Sequence, residues 1–176
     1  MVQLYPYLVA SLPMLHFGMK PPFSFEGFLE VCRDFIPERD YLLLSTLPQP
    51  EEYSREATHH RLVQKWIGFD TALRNELARV RAGRRHLEPT AYLRPDGHGD
   101  SSLAPGVMAA TAQASPLDAE RALDEVRWKA LDDLATGHYF DLDVLLTYAF
   151  RLQILLRWER IRSAEGRRLL EQALGR

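Results

Sequence analysis

The sequence has few of the features that mark a secreted, membrane-spanning or nucleic-acid-binding protein. Its one cysteine, Cys32, cannot form an internal disulfide, which is typical of a reducing compartment. The 22 basic and 24 acidic residues nearly cancel, so net charge favours neither nucleic acid nor an acidic lipid surface. No apolar run has the length of a membrane-spanning helix, and the N-terminus lacks a signal-peptide pattern. We expect a cytoplasmic protein without direct membrane insertion.

The chain also lacks the residue patterns of common catalytic and metal sites. It has no glycine-rich loop that would hold a nucleotide phosphate. Cys32 has no histidine or basic group patterned beside it on its apolar face, and Ser11 lacks the flanking glycines of a nucleophile elbow. His59 and His60 are adjacent, whereas histidines that share a metal on a helix are three or four residues apart. We predict no catalytic residue, metal, cofactor or small-molecule substrate, and therefore no enzyme.

The sequence does contain a series of helical patterns. Hydrophobic residues make up 46% of the 176 residues, which is enough for a core, and they recur at three- and four-residue steps. No strand-like alternation persists. The predicted helices are Phe25 to Ile36, Pro37 to Thr46, Glu51 to His86, Pro116 to Leu134, Phe140 to Arg162, and a short final helix capped by Ser163. We predict an all-α fold, an antiparallel helical bundle, with residues 1–176 in a single helical domain.

Capping residues mark several of these helix starts. Ser24 and Ser115 are good N-caps, and Pro116 suits the first helical position after Ser115. Asp141 can cap the helix from Phe140 to Arg162. That helix is apolar on almost every side, so we expect other helices to cover it on most faces.

The segment Glu88 to Ser115 is rich in proline, glycine and small residues. We interpret it as a long, mobile surface loop with a helical turn near Val107 to Ala112, since long loops in compact domains are usually functional or mobile. An alternative hypothesis is an enzyme with its site in this loop, which a metal at His98 or Asp100 would support. The acids around these residues lack the order of a calcium-binding loop, so a turn explains them better.

Two features are candidate partner contacts. The helix that ends at His86 carries four arginines in its last turns: Arg79, Arg81, Arg84 and Arg85. Cations complement the dipole at a helix C-terminus, and no aromatic residue interleaves with them as a nucleic-acid platform would require. Trp128 lies off the apolar stripe of its helix, so we expect it to be exposed. Tryptophan and arginine are common anchors of protein interfaces.

The N-terminal segment resembles a bacterial family known as domain of unknown function 2764. The residues that carry this resemblance are Tyr7 to Pro13, Phe17, Gly18, Pro21 to Ser24, Phe28, Leu29 and Cys32. Members of the family are typically encoded among the subunits of V/A-type ATPases. The resemblance implies a role with that rotary machine, but no known chemistry.

The C-terminal segment resembles the closing helices of the C subunit, also called d, of V/A-type ATPases. The matching residues are Asp143 to Tyr148, Leu152, Leu155 to Arg157 and Ser163 to Glu165. In that family a tyrosine-bearing helix continues into a leucine–arginine segment, followed by a loop and a short helix. The resemblance implies a shortened lobe of the C/d fold.

Together the two resemblances imply a non-catalytic helical subunit or accessory protein of a V/A-type ATPase. Its partners would be the other ATPase subunits, with the chain as a C/d-like connector between the central rotor shaft and the membrane ring. It would then lie beside the membrane through the ATPase. The alternative is a stand-alone helical scaffold or regulatory interaction domain, unrelated to ATPases.

Overall fold

A computed structural model describes residues 3–48, 59–95 and 101–173, without the side chains of 101 and 165–173. All regular structure in these residues is helical, so the all-α prediction is confirmed. The α-helices are α1 (Pro6–Ser11), α2 (Phe25–Arg33), α3 (Glu38–Ser45), α4 (Arg61–Arg84), α5 (Ala104–Thr111), α6 (Pro116–Ala135) and α7 (Leu142–Ala173). Short 3-10 helices span Pro89–Tyr92 and Ser101–Leu103. Among the described helices, none combines the length and hydrophobicity needed to cross a bilayer.

The helices group into two compact units. The terminal unit comprises Met1–Leu47 and Gly137–Arg176, and the middle unit comprises Pro48–Thr136. Helices α1, α2, α3 and α7 belong to the first, and α4, α5 and α6 to the second. A single domain over residues 1–176 stays a prediction, because compactness alone does not say whether the units unfold together.

The terminal unit is built on α7. Residues 145–150 of this helix are all buried, as the apolar pattern predicted, and α2 and α3 pack against it. The ring of Phe28 on α2 lies over Tyr148 with centroids 5.3 Å apart. The Tyr148 hydroxyl donates a hydrogen bond to the carbonyl of Pro13, 3.0 Å away. The segment that follows α1 is thereby fastened to α7.

Three ionisable groups inside the terminal unit have a raised pKa. Burial raises the pKa of the Cys32 thiol to about 12 and the pKa of Tyr148 to about 12. Burial and a hydrogen bond to the Asp40 carboxylate also raise the pKa of Tyr5. A thiol that stays protonated is a poor nucleophile. The burial of Asp40 on α3 has no signal in the sequence.

Three predicted N-caps are confirmed. The hydroxyl of Ser24 accepts from the amide of Gly27 at 3.1 Å, and that of Ser115 accepts from the amide of Asp118 at 3.1 Å. Asp141 Oδ1 accepts from the amide of Val144 at 3.3 Å. At its other end α6 is followed by Gly137 with φ of 88°, the left-handed conformation that glycine adopts without strain.

Two predicted boundaries were wrong. Helix α7 continues through Ser163 to Ala173, so Ser163 caps no separate helix. The segment after Arg162 contains no proline, and its alanine, glutamate and leucine residues favour helix continuation at Ser163. The long helix expected from Glu51 has its described start at Arg61, and residues 51–58 lie outside the described residues.

Part of the predicted loop 88–115 is helical. Helix α5 occupies Ala104–Thr111, with Pro105 in its first turn, where proline is tolerated. Val107 and Ala110 of this helix are fully buried. The small residues that suggested a loop allow α5 to approach α6 closely: a Cβ on Gly106 would lie 3.0 Å from a methyl group of Val126. Whether the remainder of the loop is mobile stays a prediction.

Helices α4, α5 and α6 share the apolar core of the middle unit. Buried side chains from all three helices and from the residue before α5 meet there: Ala72, Leu73, Leu103, Val107, Ala110 and Leu123. The 3-10 helix at Pro89–Tyr92 is fastened to α4 as well, because the buried amide of Asn75 exchanges two hydrogen bonds with the backbone of Arg94, at 2.8 and 3.0 Å. The segment after α4 therefore returns along that helix.

A buried ion-pair network crosses from α4 to α6. Asp70 Oδ1 on α4 accepts from Arg127 Nε on α6 at 2.7 Å, and its Oδ2 accepts from Arg74 Nε at 2.6 Å. Arg127 Nη1 also donates to Asp124 Oδ1 at 2.9 Å. Burial acts to lower the pKa of Arg127, but Asp70 and Asp124 outweigh it, so this pKa is raised and the guanidinium stays charged.

We expect Arg127→Leu to lower the free energy of unfolding by about 3–5 kcal/mol, because it leaves the carboxylates of Asp70 and Asp124 buried without their main counter-ion. The matched control is Arg121→Leu on the same helix, whose pair with Glu125 is exposed and 4.0 Å long. That change should cost about 0.5 kcal/mol or less. Urea unfolding followed by circular dichroism gives both values. Equal losses in the two variants would show that the network contributes little.

Candidate partner-binding surface

The C-terminal end of α4 carries the four predicted arginines, and they differ in their surroundings. Arg79 is half-buried, and its Nη1 donates to Glu76 Oε2 at 3.1 Å, three residues earlier on the same helix. Arg84 is exposed but engaged: its Nη1 donates to the carbonyl of Thr111 at 3.0 Å, and its Nη2 to the Thr111 hydroxyl at 3.1 Å. Arg84 therefore joins the end of α4 to the end of α5.

Arg81 and Arg85 are exposed, and within the described residues neither side chain makes an ion pair or hydrogen bond. Arg81 lies in the last turn of α4 and Arg85 is the C-cap residue four positions later, so the two residues lie on a similar side of the helix end. Like charges at this spacing repel by about 0.2–0.5 kcal/mol. The helix dipole favours cations in a last turn and accounts for part of this arrangement. Arg81 and Arg85 are therefore candidates for contact with an acidic group of another molecule.

The backbone ends α4 in a fixed geometry. The amide of Leu87 donates to the carbonyl of Ala82 at 3.0 Å, and the amide of His86 to that of Gly83 at 3.2 Å. These two bonds form a Schellman motif, in which His86 holds the left-handed position with φ of 54°. Glycine is the usual residue there, and another residue costs about 1–2 kcal/mol. The motif prevents the end of the helix from fraying.

Exposed apolar side chains occur in the two segments that Arg84 joins. Leu87, which follows His86, is 46% exposed, and Met108 on α5 is 54% exposed. The carbonyl of Met108 accepts a hydrogen bond from the hydroxyl of Thr111 at 3.0 Å. Met108 therefore lies one helical turn before Thr111, to which Arg84 is bound. Neither Leu87 nor Met108 was predicted as a contact, because only a helical turn within a loop was expected where α5 lies.

Trp128, the other predicted contact, is buried. Only 8% of this residue is exposed, so the expected exposure was wrong. The sequence placed Trp128 off the apolar stripe of α6. Because Asp124 is buried in the ion-pair network, the residue four positions later on the same side of the helix is also turned inward. Trp128 is therefore part of the packed interior and not an exposed anchor.

One cluster of potential metal ligands occurs in the described residues. His138 Nδ1 lies 2.6 Å from Asp141 Oδ2 and 3.4 Å from Asp143 Oδ2. These groups surround the start of α7, where Asp141 also caps the helix. The partial positive charge of a helix N-terminus favours carboxylates and opposes a bound cation, so capping explains the cluster. His98 and Asp100, the alternative metal ligands, lie outside the described residues.

Part of the chain is similar to a known protein family. Residues 105–175 match the model of the family described as Protein of unknown function (DUF2764). Over these residues the chain is similar to DUF2764. The match covers fewer than half of the 176 residues and runs from α5 through α7. The residues Tyr7 to Cys32, on which the resemblance to this family was first based, lie outside it. No curated protein and no solved structure matches the chain.

The strained residue His86 yields a prediction. We expect His86→Gly to raise the free energy of unfolding by about 0.5 kcal/mol, because relief of the left-handed strain exceeds the added entropy of the unfolded chain. His86→Val should lower it by about 1 kcal/mol, since a branched side chain is less tolerated at positive φ. Thermal unfolding of the three proteins should rank them Gly, His, Val. A His86→Val variant as stable as the parent would contradict the assigned backbone conformation.

Proposed function

We propose that this chain is a non-catalytic helical subunit or accessory protein of a V/A-type ATPase. The observation that carries the proposal is the match of residues 105–175 to DUF2764, since the resemblance to that family implies a role with this ATPase. The matched range contains α5 except its first residue, all of α6 and the described part of α7. It thus includes Thr111 and Met108, which form part of the exposed surface at the end of α4.

The finer form of the proposal is a C/d-like connector between the central rotor shaft and the membrane ring. A connector transmits force through packed helices and needs binding surfaces more than reactive groups. Helix α7, with 32 residues, is about 48 Å long at 1.5 Å per residue, and its middle is buried against α2 and α3. The residues that resemble the C/d subunit, such as Tyr148 and Leu155, lie in this buried part.

One feature of α7 differs from the C/d pattern. The resemblance implies a loop between the leucine–arginine segment and a short last helix, whereas α7 continues through Ser163 without a break. The role as a subunit or accessory protein does not require that loop. In either role the chain would be held at the membrane surface through its partners.

Co-purification tests the proposal. A V/A-type ATPase purified from the native cell through a tag on one of its established subunits should contain this chain in fixed stoichiometry, measured by quantitative mass spectrometry. The reciprocal purification, through a tag on this chain, should recover the ATPase subunits. A scaffold unrelated to ATPases would instead recover other proteins.

The same purification separates the two forms of the proposal. An accessory or assembly protein should be found only with incomplete complexes, whereas a subunit should also be found in the intact enzyme. If the chain is present in neither, and the reciprocal purification recovers no ATPase subunit, the proposal is wrong.

A further inference from the structure

We propose that the side of the last turns of α4 binds an acidic segment of a partner protein. We call this site the arginine surface: Arg81, Arg84 and Arg85, with Leu87 and Met108 beside them. The inference rests on the proposed function in one respect, namely that the chain acts by binding another protein. The inference goes further by naming the site at which the partner binds and the acidic character of the partner's segment.

The charge at this surface calls for an anion. Arg81 in the last turn of α4 and Arg85, the C-cap residue, are exposed and have no acidic partner among the described residues. A guanidinium group presents donors in a planar fork that matches a carboxylate with two parallel hydrogen bonds. Two such groups four residues apart fit carboxylates that are also one helical turn apart on a partner.

The position of the anion is restricted to the side of the helix. The end of α4 carries the partial negative charge of the helix dipole, which opposes an anion placed on the helix axis. Glu88, also exposed, adds a further negative charge just beyond the end. The acidic segment therefore lies across Arg81 and Arg85, with Leu87 and Met108 beside it.

The surface is held in place before any partner arrives. The Schellman motif fixes the backbone as far as Leu87. The two hydrogen bonds from Arg84 to Thr111 hold the end of α5, and with it Met108, near the end of α4. A surface that is already ordered loses less conformational entropy on binding, which favours affinity. Leu87 and Met108 supply apolar area, so the acidic segment should also carry apolar residues.

A protein partner fits this surface better than nucleic acid or lipid. Proteins that bind the phosphate backbone of nucleic acid typically neutralise roughly 6–10 phosphates, and polybasic membrane segments carry roughly 4–8 lysines or arginines. Here Arg81 and Arg85 are the two arginines of the surface without a contact in the described part of the chain. The net charge of −2 gives no additional attraction to a polyanion.

The test uses the full chain in its native cell with a photo-crosslinking amino acid at position 87 or 108. Position 42 serves as a control, because Leu42 on α3 is also exposed. After irradiation, mass spectrometry identifies the attached molecule and, for a protein, the attached segment. We expect one segment of net negative charge, captured from both 87 and 108.

Charge variants then test the role of the arginines. Arg81→Gln with Arg85→Gln should reduce the yield of this adduct roughly tenfold, because charge-assisted hydrogen bonds are lost. Arg121→Gln with Lys129→Gln on α6 removes the same charge from exposed residues and should leave the yield unchanged. Thermal unfolding of each variant verifies that it is folded.

Several outcomes would overturn the inference. They are an adduct with nucleic acid or lipid, a protein segment without net negative charge, no adduct from 87 or 108, or a yield that Arg81→Gln with Arg85→Gln leaves unchanged. If the acidic segment belongs to a protein other than an ATPase subunit, the inference holds and the proposed function fails. If an ATPase subunit is captured only from position 42, the proposed function holds and the inference fails.

Discussion

The arrangement of the middle unit depends on the buried contact between Asp70 and Arg127. Each of these charges costs several kcal/mol to remove from water, so they are stable inside only when they meet. Asp70 also binds Arg74, and Arg127 also binds Asp124, so two acids and two arginines balance. This requirement fixes the rotation and register of α6 against α4. With α6 in that register, Gly106 lets α5 pack closely on it, and Thr111 lies where Arg84 can bind it.

Much of the fold could be predicted because its signals are local. Ser24, Ser115 and Asp141 cap helices through amides within three residues, so a short stretch of sequence contains the whole interaction. The burial of the middle of α7 could be predicted in the same way, because apolar residues occur on almost every side of that helix. The predicted helix start at Ser163 was wrong for a related reason. A serine can cap a helix, but it can also lie within one when good helix formers surround it.

The rest depends on contacts that are distant in sequence. A carboxylate such as Asp124 is normally read as solvent-exposed, and only its pairing with Arg127 places it inside and turns Trp128 inward. The basic end of α4 was evident from its arginines, but the sequence did not show which of them were engaged. Arg84 binds a threonine 27 residues away, inside the segment that was interpreted as a loop. This contact gives the candidate surface its apolar part.

We propose that the chain acts with a V/A-type ATPase by packed helices and the arginine surface, without chemistry of its own. The most direct measurement is electron cryo-microscopy of the intact ATPase and of its incomplete complexes, both purified from the native cell. We expect density for this chain in at least one of them, with the side of α4 at Arg81 and Arg85 against carboxylates of a neighbouring subunit. Absence of the chain from both, or its presence with this side of α4 facing solvent, would contradict the proposal.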